Sequence, residues 1–179
     1  MLRGEKVTLR PVERADLKTL HVFRNDLEVH VLADDDPWVP RPFESFEKFF
    51  EKRLESTEPE AWFAIDVDGR MIGDCGLWDF DTTARRCNLG ISIGERDCWG
   101  KGYGREAVRL LVDYGFRHHN LIKVCLETTA DNERAIRSYQ AAGFEREGLL
   151  RHHAWVDGDY QDVVVMGVLR DDPTRGSQP

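Results

Sequence analysis

An α/β (α+β) fold, a mixed but mostly antiparallel sheet with flanking helices, is predicted for this 179-residue chain by two patterns. The first is a meander of short apolar segments through the centre. Residues 62–67 and 71–79 flank Asp68-Gly69, a strong hairpin-turn pair, and 87–93 continues the series. The second is the succession of a strand at 87–93, a helix at 102–116 and a strand at 122–128. That order implies a parallel pair joined by a crossover.

The other elements follow in chain order. Residues 7–12 alternate and run into Pro11, which suits an opening strand. Residues 15–33 carry Leu17, Leu20, Phe23 and Leu27 at helical spacing, and 43–54 carry Phe46, Phe49 and Phe50; each is expected as a helix. Between them Asp34-Asp35-Asp36-Pro37-Trp38-Val39-Pro40 is kept out of a helix by its prolines. Within 102–116, Ala107, Leu111 and Tyr114 share a face. Residues 132–142 form a further helix, capped by Asn132 and stopped by Gly143. Residues 145–156 and 160–169 pair across Asp157-Gly158, and the polar tail 171–179 frays. Residues 1–170 are thus expected as a single domain, since a chain this short has enough apolar residues for one sizeable core.

Bulk properties exclude several classes. A net charge of −8 argues against a general nucleic-acid binder, because phosphate affinity needs a basic face. No apolar run approaches the roughly 18 residues of a membrane span, and the amino terminus lacks a signal core, so a cytoplasmic protein is expected. Cys75, Cys87, Cys98 and Cys125 form no C-x-x-C pair, so no metal site and no disulfide framework is indicated.

Trp99-Gly100-Lys101-Gly102-Tyr103-Gly104-Arg105-Glu106-Ala107 lies between a strand and the start of a helix, where backbone N–H groups lack intrahelical partners. Glycine at 102 and 104 leaves no Cβ to block an anion, and Lys101 and Arg105 add positive charge. Three other readings compete with an anion site. Gly102-x-Gly104-x-x-Ala107 formally fits a dinucleotide fingerprint and hence an oxidoreductase, but that fingerprint follows its strand directly, and residues 94–99 intervene here. A Walker loop fails for want of Gly-Lys-Ser/Thr at the required spacing. The third is a glycine turn that merely admits the chain to a helix.

The stretch Leu126-Glu127-Thr128-Thr129-Ala130-Asp131-Asn132-Glu133-Arg134-Ala135-Ile136-Arg137-Ser138-Tyr139-Gln140-Ala141-Ala142-Gly143-Phe144 supplies a second motif. Taken with 100–107, it resembles the Gcn5-related N-acetyltransferase (GNAT) superfamily. Gly148-Leu149-Leu150-Arg151, Trp155-Val156-Asp157-Gly158 and Met166 further resemble the bacterial branch of ribosomal-protein and spermidine N-acetyltransferases. The resemblance implies that the parallel strands 87–93 and 122–128 splay apart and admit the pantetheine arm of acetyl-CoA, a cosubstrate needing no metal. It implies that the amides of Lys101, Gly102, Tyr103, Gly104 and Arg105 hold the pyrophosphate. Backbone groups of Ile91, Ser92 and Ile93 pair with pantetheine, and Asn132 adds a side-chain contact. Trp99 and Asn88 depart from the family, which more often has Gln or Arg at the first position and Glu, a possible base, at the second.

Acetyl transfer to an amine needs a neutral nucleophile, a stabilised oxyanion and a proton for the leaving thiolate. By resemblance Glu127 stands where some relatives place a water-mediated base, with a raised pKa if buried; the alternative is a carboxylate paired with Lys123. Tyr139 matches the family tyrosine that donates a proton to the coenzyme sulfur. Its alternative is a core aromatic packed with Ala135 and Ala142. Cys125 has no activating partner in sequence, which favours direct attack by the amine. Asp34, Asp35, Asp36 and Trp38 fall in a loop that borders the acceptor groove in this family.

Acetyl-CoA and an amine acceptor are therefore the expected partners, with a homodimer left open. Polyamines, aminoglycoside-like amines and protein N-termini all fit as acceptors. A noncatalytic acetyl-CoA sensor of the same fold is the alternative function.

Overall fold

The computed structural model describes residues 1–33, 37–57 and 60–171. Eight strands build one sheet: β1 (Leu2–Arg3), β2 (Thr8–Pro11), β3 (Ala61–Val67), β4 (Arg70–Asp81), β5 (Arg86–Ile93), β6 (Lys123–Thr129), β7 (Glu145–Val156) and β8 (Asp159–Leu169). Their spatial order is β1-β2-β3-β4-β5-β6-β8-β7. β5 and β6 run parallel, joined by a crossover helix, while the other neighbours are antiparallel. The mixed, mostly antiparallel sheet with one parallel pair is the architecture expected from the sequence.

The parallel pair is short. β5 and β6 hold register at Arg86↔Lys123, Cys87↔Val124 and Asn88↔Cys125, and no pairing follows beyond that point. On its other side β5 stays bonded to β4 as far as Ile93↔Gly73. The half of β5 from Leu89 to Ile93 therefore presents an unpaired edge towards β6, and a cleft opens between them.

Helix α4 (Tyr103–His118) is the crossover. Ala107, Val108, Leu111, Val112 and Gly115 form its buried stripe, at the 3–4 residue spacing of one helical face. That stripe packs on Leu77, Cys87, Leu89, Leu121 and Val124 in the main core. Packing is tight at Gly115, where an added Cβ would stand 3.1 Å from Leu121 and 3.4 Å from Leu77. A smaller core joins Leu17 and Leu20 to Phe50, Ala64 and Met71 on the opposite face.

The single helix expected over 15–33 is corrected to a 3-10 turn (Arg14–Asp16), α1 (Leu17–Arg24) and α2 (Leu27–Ala33). Polar side chains at the junction make the break. Asn25 accepts from the Arg41 backbone N–H at 2.8 Å and donates to the His21 carbonyl, which ties the end of α1 to the following loop. Asp26 accepts from the backbone N–H groups of Glu28 and Val29, giving α2 its own start. Helical periodicity registers which face is apolar, and it continues across such a break unchanged.

α3 (Phe43–Glu55) and α5 (Glu133–Gln140) lie where the sequence puts them. Asn132 caps α5 by accepting from Ala135 N at 3.1 Å, and Gly143 takes φ +99° just past the helix. Among the described residues no helix is long and apolar enough to cross a membrane. The acidic triplet Asp34, Asp35 and Asp36, and the tail past Asp171, lie outside the described residues.

Candidate active site

Two cavities open along the splayed edge of β5. The larger, about 700 Å³, lies on the face carrying Asp74, Gly76, Trp78, Asn88 and Gly90, alternate residues of β4 and β5. The smaller, about 440 Å³, runs beside the glycine turn and the start of α4. Leu32, Ala33, Ile91, Ser92 and Tyr139 line both cavities and therefore mark their junction.

The turn has the form an anion cradle requires. Gly100 and Gly102 take φ +74° and +85°, a left-handed conformation that costs glycine nothing and other residues about 1 kcal/mol or more. From there α4 starts at Tyr103 with its first N–H groups directed outward. Lys101, Gly102, Tyr103, Gly104 and Arg105 all line the smaller cavity, as do Ile93 and Asn132. A Cβ on Gly104 would meet only Ile91 and Ile93, each at 3.8 Å, so that glycine faces the channel beside β5.

Two expected contacts are partly occupied. The Trp99 indole N–H donates to the Ile93 carbonyl at 2.7 Å, so this departure from the family takes up one polar group expected for pantetheine. Arg134 stacks on the same indole at 4.5 Å. Asn132 uses its side-chain oxygen to cap α5 and donates from Nδ2 to the Leu32 carbonyl at 3.0 Å. One N–H of its amide remains for a ligand, and the second bond pins the end of α2 over the junction.

Tyr139 is buried at 9% exposure, with its ring 5.9 Å from that of Phe144. Its hydroxyl makes no hydrogen bond among the described residues. Burial pushes the phenol up from 10.0 to about 12, so it remains a protonated donor through the physiological range. The sign follows: folding favours the protonated phenol, which stabilises the fold below about pH 10 and ceases to do so as pH rises towards 12. The stability difference between the parent and Tyr139→Phe should therefore fall by roughly 1.4 kcal/mol per pH unit across that window. Urea midpoints of both proteins at pH 9 and pH 11.5 check it, and a constant difference would contradict it.

Glu127 lines the larger cavity and is exposed rather than buried. The alternative reading, a pair with Lys123, is corrected. Lys123 pairs with Glu147 at 2.6 Å, because β8 and the bulged β7 bring that carboxylate alongside β6. Glu127 has no hydrogen bond or ion pair among the described residues. Cys125 also faces the larger cavity, but burial pushes its thiol up, as it does for Cys75, Cys87 and Cys98. No thiolate nucleophile is prepared. Among the described residues no group of His, Cys, Asp and Glu could hold a metal ion.

The cavity wall holds residues that sequence reasoning missed. Asp74 is 4% exposed and accepts from Arg24 at 3.0 Å and from the Trp62 indole at 2.9 Å. Arg53 bonds Glu60 at 2.8 Å and lies 4.7 Å above the Trp62 ring and 5.4 Å from that of Phe49. Asp74 left a signal: a carboxylate flanked by Gly73 and Cys75 inside an apolar strand seldom sits there without a partner. Arg24 comes from α1, far away in sequence, and Trp62 from β3, the other strand of the same hairpin. Asn88, the second departure, donates to Asp79 at 3.1 Å.

Known proteins share this architecture. The family model for the acetyltransferase (GNAT) domain matches residues 6–145. The spermidine N(1)-acetyltransferase of Escherichia coli K12 is 31% identical over 173 residues, covering 95% of this chain and 89% of that protein. The N-alpha-acetyltransferase RimI of Mycobacterium tuberculosis is 28% identical over 155 residues, covering 86% and 88%. A crystal structure of spermidine N-acetyltransferase from Vibrio cholerae, in complex with CoA and spermine, superposes with a TM-score of 0.85 at 28% identity, covering 93% of this chain and 96% of that one. A glycine turn opening a crossover helix, a splayed parallel pair and this extent of similarity lead to one conclusion: the chain belongs to the GNAT family and is an acetyl-CoA-dependent N-acetyltransferase.

Proposed function

We propose that residues 1–170 form one catalytic domain that acetylates a primary amine of a small polyamine-like acceptor, with Tyr139 as the hydrogen-bond donor to the departing sulfur. The observation that carries this reading is the position of Tyr139, on the wall shared by the two cavities. The coenzyme's pyrophosphate lies on the amides of Lys101–Arg105, its pantetheine along Ile91–Ile93 with Asn132 beside it, and the thioester reaches the junction. The acceptor enters from the larger cavity.

The amine nitrogen attacks the thioester carbonyl carbon, the C–S bond breaks, and an amide and a free thiol result. Overall the amine loses one proton and the sulfur gains one. A phenol held near 12 is a weak acid towards a thiolate, so Tyr139 chiefly stabilises the developing negative charge through its O–H. Glu127, exposed at the cavity, relays the amine proton through water.

Two features support a cationic acceptor: the names of the relatives, which include spermidine acetyltransferases, and the exposed carboxylate of Glu127 on the wall of the larger cavity, which suits an ammonium group. Asp74 and Glu60 are already held by arginines. RimI, whose name specifies an α-amine, is the reason to test peptides beside polyamines. A homodimer belongs to the same proposal, supported by exposed Leu149 and Trp155 on the edge strand β7, and is read by sedimentation.

The test is a thiol-release screen with acetyl-CoA against spermidine, spermine, aminoglycosides and peptides with free α-amines. Turnover with polyamines is expected, and turnover confined to peptides would overturn the acceptor assignment. Acetyl-CoA at about a hundredfold excess over its Kd should also add about 2.7 kcal/mol of stability. An unchanged melting temperature at millimolar acetyl-CoA would count against the coenzyme site.

A further inference from the structure

We infer that Lys6 is a phosphate-binding residue of the coenzyme site, delivered to the glycine turn by the loop between β1 and β2. The inference rests on the coenzyme placement above and adds to it a residue about a hundred positions from the turn.

The loop is held by α4 itself. Glu106, in the first turn of that helix, accepts from the backbone N–H groups of Glu5 at 2.6 Å, Lys6 at 2.8 Å and Val7 at 3.1 Å. One carboxylate thus fixes three successive amides, and the chain closes behind them through Gly4 N–H to Val7 O at 2.9 Å. So fixed, Lys6 extends over the turn and donates from Nζ to the Lys101 carbonyl at 3.3 Å.

A Cβ placed on Gly102 would lie 3.6 Å from Lys6 Nζ and 3.7 Å from Arg105 Nη2. Two cationic ends therefore flank the open point above a left-handed glycine, at the positive end of a 16-residue helix. Neither forms an ion pair among the described residues. Like charges held towards one point, with no acid between them, are stabilised when an anion occupies it. The Nζ that already donates to Lys101 keeps two protons for phosphate oxygens, and the Glu106 clamp removes much of the entropy cost of presenting them.

Calorimetric titration of the parent protein, Lys6→Gln and Lys6→Arg with acetyl-CoA and with dephospho-CoA tests this. Lys6→Gln, which leaves a polar side chain one bond shorter and without charge, should weaken acetyl-CoA binding about fivefold to tenfold at low salt. The gap should narrow as salt is raised. Lys6→Arg should bind nearly as the parent does. A loss that persists with dephospho-CoA assigns Lys6 to the pyrophosphate; a loss seen only with the full coenzyme assigns it to the 3′-phosphate. Either result supports a phosphate contact. Equal affinity of the parent and Lys6→Gln overturns the inference, as does an equal loss in both variants, which would make the role one of side-chain shape. Failure of the parent protein to bind any coenzyme overturns the coenzyme placement first, and the role of Lys6 with it.

Discussion

Replacing Tyr139 with Phe is expected to lower kcat about a hundredfold while the acetyl-CoA Kd stays within about twofold. The ring fills its site against Phe144 and in the main core, and Phe preserves that packing. What disappears is an O–H with no other partner among the described residues, at the cavity junction where the proposed mechanism puts the thioester sulfur. General acids contribute on the order of 10²–10⁴ in rate. The lower end is expected here, because a phenol held up near 12 by burial donates a hydrogen bond more readily than its proton. An interaction made mainly in the transition state appears in kcat and in kcat/KM together, with little change in ground-state affinity. Steady-state rates with whichever amine the screen identifies, paired with titrations on the same preparations, separate the two quantities. An unchanged kcat under conditions where chemistry is rate-limiting removes Tyr139 from the reaction and leaves it a core aromatic.

Gly104→Glu should abolish coenzyme binding, with a loss of about 10²-fold or more in affinity. Gly104 has ordinary helical backbone, and the nearest atoms to an added Cβ are those of Ile91 and Ile93 at 3.8 Å. The protein alone therefore tolerates a side chain there. A glutamate would instead extend into the channel beside β5, where its volume and charge oppose an anionic ligand at a helix N-terminus. Folding should survive, so the unliganded variant melts near the parent temperature while acetyl-CoA no longer raises it. A folded variant that bound acetyl-CoA as tightly as the parent would make the turn structural. Gly104→Ala adds volume without charge and should cost far less, which divides the steric from the electrostatic part.

Local chemistry was legible in this sequence wherever the responsible residues are neighbours. Asp68-Gly69 and Asp157-Gly158 marked their hairpins, Asn132 and Gly143 bounded α5, and the glycines within 99–107 marked a turn between a strand and a helix. The order of elements then determined the mixed sheet and its crossover, since a strand, a helix and a strand in succession leave little topological choice. The break between α1 and α2 escaped because apolar spacing survives a capping interruption, while Asn25 acts through Arg41, which only the folded loop brings near. Pairings across the sheet escaped for a similar reason. Lys123 has Glu127 four residues away in its own strand, but strand geometry carries that carboxylate along β6, and Glu147 arrives from β7 at bonding distance. Tertiary structure alone decided how Arg24 of α1 reaches Asp74 of β4 on the wall of the larger cavity. It also decided the approach of Lys6 to Lys101. Short-range propensities are encoded by adjacent residues, whereas contacts at a sequence separation of tens of residues exist only once burial of the core has fixed where each element lies.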